Sequence, residues 1–147
     1  MDERREVDAA LCDRFVTALM GCFSDHAGKF NEEAAAREFI ELDREDLALF
    51  RRHEAQPTEE LLGLLIKSCD AFDTGWLRTG LTDEALCDRM IKTMHHNRID
   101  PVDAAKDLFV TKEFFGFVKD YKLMPSRVFI NRFCEKYGIP LQEIYYD

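Results

Sequence analysis

A chain of 147 residues with 46% apolar and 12% aromatic side chains can build one hydrophobic core and is too apolar for a disordered polymer. Its formal net charge of −9 speaks against a general polyanion binder, because neutralising phosphates takes a basic face. The charge is uneven: residues 1–56 hold eight basic and fourteen acidic side chains, residues 57–111 six and ten, and residues 112–147 six and five.

At the N-terminus, "MDERREVDAALCDRF" has no apolar run of the kind a signal sequence needs. Val7, Leu11, Phe15, Leu19 and Phe23 recur every four residues and predict a first amphipathic helix, with Gly28 just past its end. Asn31 followed by Glu32 and Glu33 predicts the start of a second helix, carrying Ala35, Phe39 and Ile40. A short polar side chain there caps free amides, and acids suit the positive helix end. "DRED" at 43–46 opens a short third helix with Leu47 and Phe50.

Pro57-Thr58-Glu59-Glu60 opens a fourth helix. Leu61, Leu62, Leu64, Leu65, Ile66, Cys69 and Phe72 cover most of its circumference, which predicts a central position. "DTGWLRTG" reads as its terminator. Thr82 then begins a fifth helix through Leu86, Met90, Ile91 and Met94. Asp100-Pro101 begins a sixth, since proline fits a first turn where no amide donor is needed. Thr111 starts a seventh, Pro125 or Ser126 an eighth that stops at Gly138, and a short turn follows Pro140.

No segment alternates with a period of two between hairpin turns. The longest apolar run, "LLGLLI", is six residues, against the roughly 18 of a membrane span. The expectation is an all-α fold, with residues 1–147 forming a single compact multi-helix domain of about seven to nine helices.

Catalytic chemistry is searched for and mostly not found; the alternative of an undetected enzyme would call for a concave pocket joining a cysteine and a histidine, which meet in space and not in sequence. The five cysteines fall inside helical patterns and form no CxxC, which fits reduced, buried thiols in an intracellular, cytoplasmic protein. "HEAQP" begins like a zinc-protease helix, but Pro57 stands where the second histidine belongs. His95 and His96 project about 100° apart on a helix and do not easily grip one metal. His95 with Cys87, or His26 with Cys22, supplies two ligands where structural zinc takes about four. There is no GxGxxG, no Walker phosphate loop and no GxSxG elbow. No catalytic, cofactor-binding or metal residue is assigned, and no cofactor is expected.

Two segments resemble known families. "EELLGLLIKSCDAFDTGWLRTGLTDEAL", residues 59–86, resembles an EF-hand helix–loop–helix unit with a twelve-residue loop from Asp73 to Glu84. "FVTKEFFGFVKDY" resembles the loop end and exit helix of a second unit. The ligand positions three and five are Gly75 and Leu77, and Arg78 replaces the turn glycine. The resemblance therefore implies a packed helical scaffold without tight calcium binding. "FVKDYKLMPSRVFINRFCEKYG", residues 117–138, resembles a helix-turn-helix whose Ser126, Arg127 and Asn131 would face bases. A basic stripe through Lys119, Lys122, Arg127 and Arg132 is what that function would require.

Residues 109–147 hold ten of the seventeen aromatics. Phe114, Val118 and Tyr121 share one face of the seventh helix, with Phe115 and Phe117 on opposite flanks. One face does not bury all of these, so at least one of Phe115 and Phe117 is expected to stay exposed. The functional expectation is a non-catalytic intracellular adaptor that binds another protein or itself. The binding face would be Phe114, Phe115, Phe117, Tyr121, Tyr145 and Tyr146, or the acidic first half. Neither nucleic-acid binding nor membrane insertion is expected.

Overall fold

Short polar side chains set most of the helix starts. In the computed structural model, which describes residues 7–23, 31 and 44–145, several of them accept a backbone amide. Asp8 accepts from Leu11, Thr58 from Leu61, Asp73 from Trp76, Asp83 from Leu86, Asp100 from Val102 and Ser126 from Phe129. Each such cap satisfies a donor that has no intrahelical acceptor and contributes about 1 kcal/mol.

The described residues form nine helices: α1 (Ala9–Cys22), α2 (Arg44–Arg51), α3 (Glu59–Ser68), α4 (Thr74–Thr79), α5 (Glu84–His96), α6 (Pro101–Leu108), α7 (Glu113–Lys119), α8 (Arg127–Tyr137) and α9 (Gln142–Tyr145). They include no strand, only an isolated antiparallel bridge between Phe72 and Pro125. The fold is all-α, as the periodicities predict. None of these helices is long and apolar enough to cross a membrane. Beyond Asn31 itself, the predicted second helix lies outside the described residues, as does Gly28.

One hydrophobic cluster draws side chains from all nine helices. α2, α4 and α7 pack on α1, while α7 and α9 pack on α5. The bridge ties the segment before α4 to the one before α8: Asp73 N–H donates to Met124 O at 2.8 Å and Ser126 N–H to Ala71 O at 2.9 Å. At the other end of the chain, Arg89 of α5 donates to the carbonyls of Ile144 and Tyr145 and clamps α9 in place.

Three local expectations are corrected. The most apolar helix, α3, is not the hub; that place belongs to α1. Leu61, Leu62 and Leu65 of α3 are buried, but Leu64 and Ile66 are only half-covered and Gly63 and Lys67 face out. The segment "DTGWLRTG" does not merely end a helix. Asp73 caps a further one, α4, which Gly80 closes in the left-handed conformation at φ 78. Residues Thr74–Thr79, inside the Asp73–Glu84 segment, are therefore helical. Thr111 does not cap α7. Its hydroxyl and its amide both donate to Gly21 O, at 3.3 and 2.9 Å, tying the start of α7 to the end of α1.

Gly21 lets α1 and α7 approach each other. A Cβ there would stand 3.1 Å from Leu123 Cδ1 and 3.3 Å from Phe114 Cδ2. The missing side chain leaves that space to the Phe114 ring.

Candidate functional site

α5 and α7 pack side by side. The outer surface of this pair is concave, because α7 carries Gly116 where a larger side chain would fill the space. A Cβ on Gly116 would meet no atom within 4 Å. The narrow end of the groove is a cavity of about 190 Å³ lined by Ile91, Met94, Ile99, Pro101, Phe115 and Gly116. It shares Ile91, His95 and Lys119 with a broader, open depression of about 730 Å³ that adds Asp88, Lys92, His96 and Tyr121.

Tyr121 forms the far wall of this groove. Just beyond the C-terminus of α7 it adopts φ 62, a left-handed conformation that costs a non-glycine residue on the order of 1 kcal/mol. Lys122 N–H donates back to Phe117 O at 2.8 Å and fixes the turn. The turn delivers the phenol to α5, where its hydroxyl donates to Asp88 Oδ1 at 2.6 Å. That hydrogen bond, more than burial, pushes the Tyr121 pKa up to about 12. On its other side Tyr121 lines a cavity of about 490 Å³ bounded by Val16, Trp76 and Gly80. It acts as a partition between the two depressions.

The groove's charge is opposite to that of the chain. Asp88, its one acidic lining residue, is occupied by Tyr121. Lys92 on one wall and Lys119 on the other have no ion-pair partner among the described residues, nor do His95 and His96. Several arginines of the described residues, in contrast, serve the fold: Arg14 donates to Leu77 O, Arg78 pairs with Glu59 at 2.7 Å and Arg132 with Asp70 at 2.7 Å.

The residues singled out from the sequence divide sharply. Phe114 and Phe115 are interior, the latter only 2% exposed. Their rings pack on Phe129 of α8 at 4.6 and 6.1 Å and on each other edge-to-face at 5.4 Å. Phe117 is half-buried against the core. The expectation that one of Phe115 and Phe117 stays substantially exposed fails, because α7 has neighbours on several sides: α1, α5 and the rings of α8. Tyr121, at 37% exposure, keeps a ring edge in the groove. Tyr145 is half-buried beneath the Arg127 guanidinium, 5.3 Å from its ring centroid. Tyr146 lies outside the described residues.

Several residues escaped the sequence reading. Ile91, Lys92 and Gly116 build the groove, yet Lys92 had no motif to mark it. Gly116, a glycine between two phenylalanines in mid-helix, was the one available signal. Phe109 carries no sequence signal beyond its aromatic ring, yet it is 80% exposed. It ends α6 at φ 60, with Val110 N–H bonded to Ala105 O at 3.0 Å.

The remaining chemistry is sparse. Among the described residues no three His, Cys, Asp or Glu side chains gather as a metal site. The cavities holding His95 and His96 contain no cysteine. Of the would-be base readers, Ser126 is spent on capping α8 and on Asp70 O, and Arg127 lies over Tyr145. Lys119 and Lys122 line different cavities, on the two sides of Tyr121. Comparison of the chain with protein-family models, with curated proteins and with solved structures finds no match.

Proposed function

We propose that this chain is a protein-interaction module that acts without catalysis and receives its partner in the α5–α7 groove. The observation that carries the reading is Gly116. A glycine inside a helix costs roughly 1 kcal/mol against alanine, and nothing in the backbone or packing here demands it. What it does is hold open a largely apolar cavity whose polar rim, His95 and Lys119, makes no ion pair among the described residues, the usual anatomy of an interface that anchors one side chain. Gly63 on α3 has the same open space but lines none of the three cavities described above, so a free glycine alone does not make a site.

The test is affinity capture with mass spectrometry, comparing the intact protein with Gly116→Leu. The leucine fills the groove from a surface helix position and improves helix propensity, so the variant is expected to melt no earlier than the parent. Partners recovered by the parent should be lost from the variant. If the same partners return in the same yield, the binding face is elsewhere, and the acidic residues 1–56 become the first place to look.

A further inference from the structure

We infer that the occupant of the groove is an acidic amphipathic helix of another protein, with one large apolar side chain seated beside Gly116 and carboxylates reaching Lys92 and Lys119. The inference rests on the reading of the groove as the binding face and adds the chemistry of what fills it.

Three observations converge. The first is size: the narrow end, about 190 Å³ and floored by Phe115 and Met94, is on the scale of the roughly 150 Å³ apolar cavities that hold a benzene ring. It therefore takes one phenylalanine, leucine or methionine side chain and has no room for a cluster.

The second is charge. Two lysines line the groove, Lys92 from α5 and Lys119 from α7, in a chain of net charge −9. The carboxylate nearest them in the lining, Asp88, is held by the Tyr121 hydroxyl at 2.6 Å. Among the described residues the two cations thus lack an acid, and a basic or neutral ligand would leave them unmatched.

The third is mode. The described residues offer no strand edge to which an extended peptide could add, and the concavity runs between two helices. A third helix laid against a helix pair is the recognition mode that this shape supports. From Asp88 to His96, α5 advances about 12 Å, so the facing segment needs only two to three turns.

The experiment uses the full chain and a displayed library of helical peptides randomised along one face. The library is selected on the parent protein and counter-selected on Gly116→Leu. Enriched peptides are expected to share one Phe, Leu or Met and acidic residues within two turns of it. Their affinity, measured by fluorescence anisotropy, should fall at least about tenfold when Lys92→Glu and Lys119→Glu are combined, and should weaken with added salt. Replacing the peptide acids by glutamine should cost a similar factor on the parent and should instead recover affinity on the double variant, where the acids would meet like charges.

The other outcomes separate the two levels of the claim. Enriched peptides that are neutral or basic, yet blocked by Gly116→Leu, overturn the acidic partner and leave the groove reading intact. So does Gly116-sensitive binding that appears only with phosphatidylserine vesicles, or only as concentration-dependent self-association in sedimentation. Acidic peptides that bind Gly116→Leu as well as the parent overturn the groove itself.

Discussion

Tyr121 shows how a single side chain can be read structurally. A left-handed backbone position that would suit glycine instead carries a tyrosine, and the strain is offset by the hydroxyl bond to Asp88. The phenol is pushed up to about 12 by that bond, and Tyr137 reaches about 12 through burial and its own bond to Asp107 at 2.9 Å. Both are raised above the unfolded value, so the stability they contribute is complete below about pH 10 and is lost as pH climbs through 12. Burial raises Tyr145 as well, so absorbance titration should show Tyr121, Tyr137 and Tyr145 ionising later than free tyrosine, and Asp88→Asn should return Tyr121 alone towards the ordinary range. A Tyr121 phenolate that ionises as late in Asp88→Asn as in the parent would remove Asp88 as the cause.

The cysteines give a second prediction at the same scale. Cys12, Cys22, Cys87 and Cys134 are buried, and Cys69 is half-exposed at the end of α3. Burial drives the Cys22 thiol well above its usual range, helped by its hydrogen bond with Cys69, and lifts Cys87 to about 11. A thiol-reactive chromophore at neutral pH should label Cys69 first and reach the other four only on unfolding. Equal rates at Cys69 and Cys87 would contradict the packing described here.

At the scale of elements, the starts of helices were legible because their signals are local. Asp100-Pro101 and Ser126 with Gly138 bracket α6 and α8 through side chains that act within three residues. What escaped depended on partners far away in sequence. Thr111 looked like a cap until Gly21, 90 residues earlier, took its hydroxyl. Phe115 looked free until Phe129 and α5 arrived beside it. The groove was illegible for the same reason: it exists only where α5 meets α7, and neither helix announces it alone. On α3 the local and tertiary signals agree at one position. Leu65 is fully buried, so Leu65→Ala should cost about 2–5 kcal/mol, read as an earlier denaturation midpoint at unchanged slope. An unmoved midpoint would show that α3 does not pack as described.

At the scale of the whole molecule, charge is distributed with a division of labour. Acids dominate the count, yet among the described residues many act as helix caps or hold arginines that lock elements together. The α5–α7 groove departs from that pattern, with Lys92 and Lys119 making no ion pair among the described residues. Filling the concavity at Gly116 should leave the protein as stable or more stable while removing its binding, an uncoupling that a purely structural glycine would not permit. Gly63→Ala, on a surface away from the groove, should raise stability by up to about 1 kcal/mol and leave partner recovery unchanged.

The most direct test is amide hydrogen exchange on the full chain with and without a captured partner. The account places the partner across α5 and α7, so protection should rise within Glu84–His96 and Glu113–Lys119, through Tyr121, and change little in α2 and α3. The same protection should be missing when Gly116→Leu is mixed with that partner. Protection confined to α1 and α2, with α5 and α7 exchanging as in the free protein, would contradict the groove as the binding face.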